Sequence, residues 1–154
     1  MKRFYRSLAV VLVLLTAVSF ASCKPRRNVK NLQAHLVTQG FPAEKFSPVK
    51  NFALKTALQL AGVKGVTTYF DGTVGCVIVQ TKEPTNIDAI AATFGGLASS
   101  FDLSQVEGMG DMAPIFQSFS TGSVNPADNI AVHENFTMIH TNNSPQLVSA
   151  FMAY

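Results

Sequence analysis

The stretch "VKGVTTYFDGTVGCVIVQTKE", Val63 to Glu83, decides the fold. β-Branched and aromatic residues dominate from Val66 to Val79, and Asp71-Gly72 interrupts them. An Asp-Gly pair between two such runs signals a β-hairpin, because tight hairpin turns place residues at positive φ. The reading predicts strands at about 64–70 and 73–81. Side chains alternate between the faces of a sheet. Val74, Cys76 and Ile78 therefore share one face, and Gly75, Val77 and Val79 share the other. Apolar residues on both faces predict a strand covered on both sides.

Helices bracket the hairpin. Upstream, Ser47-Pro48 fits a helix start, with serine as cap and proline at the first helical position. "VKNFALKTALQLAG" then carries Val49, Phe52, Ala53 and Leu60 on one side, with Leu54, Leu58 and Ala61 adjoining and Gly62 as the stop. Downstream, Thr85 or Asn86 caps a second helix. Its apolar residues Ile87, Ile90, Ala91, Phe94, Leu97, Ala98 and Phe101 keep helical spacing. Gly95-Gly96 inside this stripe predicts close packing or a kink.

After a loop at Asp102 to Met112, the runs "APIFQSFSTG", "NIAVHE" and "NFTMIHT" read as three short strands. Turns at Asn125 to Asp128 and at Glu134-Asn135 separate them. A last helix, Pro145 to Ala153, presents Leu147, Val148, Phe151 and Met152. The expectation is one α/β domain of the α+β type over residues 47–154. It is a single five-stranded, mainly antiparallel sheet flanked by helices, in the order αββαβββα. The Pro114–Thr121 and Phe136–Thr141 runs lack the lysines that guard open sheet edges. That predicts strand-mediated pairing of two copies.

The N-terminus gives an address. Lys2, Arg3 and Arg6 precede an aliphatic run from Leu8 to Leu15, and small residues follow at Ser19, Ala21 and Ser22. This is the build of a secretory signal over residues 1–22. The apolar run is short for a membrane span, which needs ~20 residues; a retained N-terminal anchor is the competing reading. Ser19-Phe20-Ala21 fits ordinary signal peptidase. Phe20-Ala21-Ser22-Cys23 resembles a bacterial lipobox, in which the cysteine becomes the lipidated N-terminus. Phe20 departs from the usual leucine there. Residues 23–46 then read as a lipidated N-terminus and tether, with one weak helical turn around Leu32 to Val37 and breakers at Gly40 and Pro42.

Charge agrees with that division. Seven of the twelve Lys and Arg fall within residues 1–30, and no acid occurs before Glu44. From residue 31 onward five cations face nine acids, so the body is acidic and carries no basic patch for nucleic acid. Lys24, Arg26, Arg27 and Lys30 lie just after the anchor, where anionic headgroups or solvent would meet them.

The order of elements resembles the roadblock/LC7 family, with its longin- and profilin-like relatives. "LAGVKGVTTYFDGTVGCVIV" is similar to that family's opening helix and hairpin. "NIDAIAATFGGLASSF" stands where its long helix stands, and "ENFTMIHTNNSPQLVSAF" is similar to its last strand and helix. The resemblance implies a protein-assembly role and pairing of domains.

No acid, base and nucleophile set converges in the sequence. Ser47 and Lys50 match Ser-x-x-Lys spacing, and Ser120-Thr121-Gly122 and Ser123-Val124-Asn125 mimic its companion motifs in the wrong order and at half the usual domain length. His35 falls in the tether, and His133 and His140 fall on neighbouring strands without further zinc ligands. Asp102, Glu107 and Asp111 miss calcium-loop spacing. "GMGDM" does not link a strand to a helix as a phosphate loop does. Cys76 sits in an apolar run and reads as a buried thiol. Asn135 and Asn142 stand in glycosylation patterns that matter only in a eukaryotic secretory route. The expectation is therefore an exported, envelope-located, membrane-anchored lipoprotein with Cys23 as lipid attachment. It binds protein, forms a homodimer, and needs no cofactor, metal or catalytic residue. The alternative is a small secreted enzyme or ligand carrier with a pocket between sheet and helices, near His133, His140 or Cys76.

Overall fold

The computed structural model describes residues 27–154, so the signal segment and Cys23 lie outside the described residues. Five strands form one antiparallel sheet: β1 (Phe46–Pro48), β2 (Val63–Phe70), β3 (Gly75–Thr81), β4 (Ile130–His133) and β5 (Phe136–His140). Their spatial order is β1-β2-β3-β5-β4. Among the described residues, five α-helices flank it: α1 (Val29–Thr38), α2 (Phe52–Leu60), α3 (Ile87–Ser100), α4 (Ala113–Thr121) and α5 (Pro145–Met152). The expected class, an antiparallel five-stranded sheet flanked by helices, holds.

The hairpin is built as its sequence demands, with a longer turn. Phe70 pairs with Gly75, which closes a four-residue loop at residues 71–74. The Asp71 side chain accepts from the backbone N–H groups of Thr73 (2.9 Å) and Val74 (2.8 Å), while Gly72 supplies φ +104°. β3 is covered on both faces. Val77 and Val79 face a core completed by Leu54 and Leu58 of α2, Phe94 of α3 and Phe116 of α4. Cys76 and Ile78 face a second core with Leu32 and Leu36 of α1 and Leu147 and Phe151 of α5. The result is a helix–sheet–helix sandwich.

The α3 stripe behaves as its periodicity requires. Ile90, Ala91, Phe94 and Leu97 are buried, and Asn86 accepts from Ala89 N–H at 2.8 Å as the cap. Gly95 explains its own presence. A Cβ there would lie 3.0 Å from the Ser120 nitrogen, so glycine lets α4 cross in close contact. Gly108 similarly lets the following loop press on the sheet, since a Cβ would reach 2.1 Å from the Thr68 hydroxyl.

Four expectations are corrected. The segment Ala113–Thr121 is a helix, not a strand. Ala113 and Phe116 turn inward at i, i+3, Pro114 occupies the first turn, and Gly122 at φ +66° ends it. The fifth strand is instead β1, where Ser47 pairs with Thr68 and Pro48 with Thr67. Ser47-Pro48 is thus an edge strand rather than a helix start; α2 begins at Phe52, capped by Asn51 accepting from Leu54 N–H at 2.9 Å. Proline is tolerated there because an edge strand can spare an N–H.

The tether reading of residues 27–46 is also corrected. Asn28 caps a ten-residue helix, α1, whose Leu32 and Leu36 are fully buried against the sheet. Finally, neither Pro114–Thr121 nor Phe136–Thr141 is an open edge. Residues 114–121 are helical, and β5 lies between β3 and β4. The real edges are β1, three residues long and ending in proline, and β4. Among the described residues no helix is long and apolar enough to cross a membrane.

Candidate functional site

The residues singled out for chemistry do not gather. Cys76 is fully buried in β3, and burial pushes its thiol above its ordinary pKa, opposite to what a nucleophile needs. His35 lies on α1, where its Nε2 is 3.0 Å from the Ala150 carbonyl, tying α1 to α5. His133 pairs with Phe136 at one end of the β4–β5 hairpin, and His140 pairs with Cys76 at the other. The His140 ring nitrogen Nδ1 is 2.9 Å from the Thr141 carbonyl. Ser47 is in β1, while Lys50 donates to the Glu107 carboxylate at 2.9 and 3.2 Å on the surface. Asp102 accepts from Ser104 N–H at 3.2 Å and caps a short turn. Among the described residues, no three His, Cys, Asp or Glu side chains are grouped to hold a metal.

Among the surface features of the described residues, two bear on function. The first is a cleft of about 290 Å³ beside the β2–β3 loop, bordered by Phe41, Asp71, Val74, Asn143 and Pro145. The Tyr69 hydroxyl donates to Asp71 at 3.2 Å. Burial and the Asp71 carboxylate push the Tyr69 pKa up to about 12. The backbone N–H groups of Val74 and Thr73 hold the Asp71 carboxyl below the usual range. These bonds satisfy the Asp71 side chain within its own loop and rigidify it.

The second is the outer face of α2. Phe52 is 81% exposed and Leu60 85% exposed, at the two ends of one helix. Leu54 and Leu58, at i, i+4, hold the other face of that helix in the core. Beside it lies a cleft of about 210 Å³ whose border includes Pro48, Val49, Lys55, Gln59 and Val66. Phe52 and Leu60 are thus two separate exposed apolar side chains on one helix, with Thr56 and Gln59 between them and a partly apolar cleft alongside.

The sequence groups Phe52 and Leu60 on one side with Leu54 and Leu58 adjoining, and the structure divides that set, burying Leu54 and Leu58 and leaving Phe52 and Leu60 exposed. The signal was available. Six of nine residues in "FALKTALQL" are apolar, more than one buried face of a short helix can accommodate. The Leu54–Leu58 pair takes the core, which leaves Phe52 and Leu60 outside. Comparison of the chain with protein-family models, with curated proteins and with solved structures finds no match.

Proposed function

We propose that this protein is a lipid-anchored protein-binding module of the bacterial cell envelope, exported by its signal segment and attached through Cys23. The outer face of α2 is its docking surface, and a second copy is its first partner. The observation that carries the reading is the exposure of Phe52 and Leu60 on a helix whose other face is locked in the core. A filled interior supports contact over pocket chemistry: Ile78, Met138, Phe94 and Phe116 on the two faces of the sheet are fully buried.

The docking face has a direct test. Phe52→Asp puts an anion in the first turn of α2 and Leu60→Lys a cation in its last, both favourable to the helix dipole. The double variant should therefore keep its melting temperature, since exposed substitutions change stability by roughly 0.5 kcal/mol or less. Sedimentation of residues 27–154 at high micromolar concentration should show a dimer for the parent and a monomer for the double variant. A parent that stays monomeric rejects the second copy as partner.

The address is tested separately. The mature protein made in a bacterium should have the mass of a chain beginning at Cys23 plus diacylglycerol. Cys23→Ala should move from the membrane fraction to the soluble one. A mature chain beginning at Ser22 without lipid, or retention of Met1, contradicts the assignment.

A further inference from the structure

Arg27 is the first described residue, and it is fastened to one end of the sheet. Its guanidinium forms an ion pair with Glu134 in the β4–β5 turn, donates to the Tyr154 carbonyl at 3.3 Å, and sits 5.5 Å above the Tyr154 ring. Its own carbonyl accepts from Gln80 Nε2 at 3.3 Å, at the end of β3. The chain thus enters the fold at a fixed point, beside the start of β2, the end of β3 and the β4–β5 turn.

Only three residues separate Cys23 from Arg27. Four Cα steps of ~3.6 Å reach ~14 Å at most. A lipid on Cys23 therefore leaves this end of the domain within about a headgroup layer of the bilayer.

Charge is distributed along the sheet to match. Arg27, Lys30, Lys64 and Lys82 belong to elements that meet at the entry end, where Val29 packs on Gly65; the acids there are Glu83 and the Glu134 engaged by Arg27, with Asp88 in the first turn of α3 six residues past Lys82. Lys82 is placed there by its backbone N–H bond to the Gly62 carbonyl, 3.0 Å. The opposite strand ends carry Glu44, Asp71 and Asp128, with Lys45. Over residues 27–154 acids outnumber cations nine to seven, yet four of the seven cations belong to this end.

Resting on the lipid attachment proposed above, we infer that the entry end of the sheet, with Arg27, Lys30, Lys64 and Lys82, lies flat against anionic lipid headgroups and sets the orientation of the domain. The far loop at residues 71–74 then points away from the membrane, roughly 25 Å higher along β2. α2 ends at Leu60 beside the same basic end, so its outer face is turned sideways, toward a neighbour anchored in the same bilayer.

The full lipidated chain in phosphatidylglycerol–phosphatidylethanolamine vesicles tests this. A fluorescent label is placed on Pro84→Cys, next to the basic end, or on Thr73→Cys, in the far loop; Cys76 is buried and stays unlabelled. Quenching by doxyl lipids should be at least threefold stronger at position 84 than at 73. The ratio should fall toward one in Lys30→Gln/Lys64→Gln/Lys82→Gln, and in vesicles of phosphatidylcholine alone. Equal quenching at both positions in a chain whose mass shows the lipid overturns the orientation and leaves the attachment standing. A chain whose mass shows no lipid overturns both.

Discussion

Replacing Phe94 with aspartate is expected to abolish the cooperatively folded state. Phe94 is fully buried at the middle of α3, its ring centroid 5.1 Å from that of Phe116. Its surroundings are Val77, Val79 and Ile139 of the sheet and neighbouring apolar side chains. Losing the ring alone costs ~3–5 kcal/mol. A carboxylate among these groups finds no partner and adds a desolvation penalty of several kcal/mol more. The sum rivals the whole stability of an ordinary domain, ~5–15 kcal/mol. Thermal denaturation followed by circular dichroism should show no sigmoidal transition, and amide signals should collapse into the random-coil range. Phe94→Leu should retain a cooperative melt at lower temperature. A cooperative melt in the aspartate variant contradicts the central place given to α3.

A chain beginning at Phe46 is expected to be molten, whereas one beginning at Arg27 melts cooperatively. Removing residues 27–45 deletes α1, and with it two fully buried leucines, Leu32 and Leu36, from the second core. Each core leucine is worth ~2–5 kcal/mol. The loss also uncovers apolar residues on the sheet face formed by Ile78, Met138 and Phe136. The shortened chain should bind a hydrophobic dye and lose its near-ultraviolet circular dichroism. Equal melting temperatures for the two chains would show α1 to be peripheral.

How much of this was legible depended on element length and on competition for the core. The β2–β3 hairpin was plain because its two-sided apolar run and Asp71-Gly72 agree. α3 was plain because its stripe spans fourteen residues. β1 was not, since three residues carry no period. α1 was obscured by its place next to the charged leader. Its Asn28 cap and the Leu32–Leu36 spacing were the available marks. In α4 the Phe and Ser residues suggested alternation, but Pro114 and Gly122 bracket a helix. The exposure of Phe52 and Leu60 was illegible for a deeper reason. "FALKTALQL" offers more apolar side chains than the sheet can cover, and only the packing shows which ones lose.

The measurement that bears most directly on the proposed role is site-specific photocrosslinking in the intact envelope. A benzophenone side chain replaces Phe52 in the full chain. A control chain carries it at Ala92, which is exposed on α3. The account predicts one discrete light-dependent adduct from position 52, weakened by Leu60→Lys, and none from position 92. Twice the mass of the chain identifies the partner as a second copy. A bare monomer band from position 52, or the same adducts from both positions, contradicts the assignment of α2 as the docking surface.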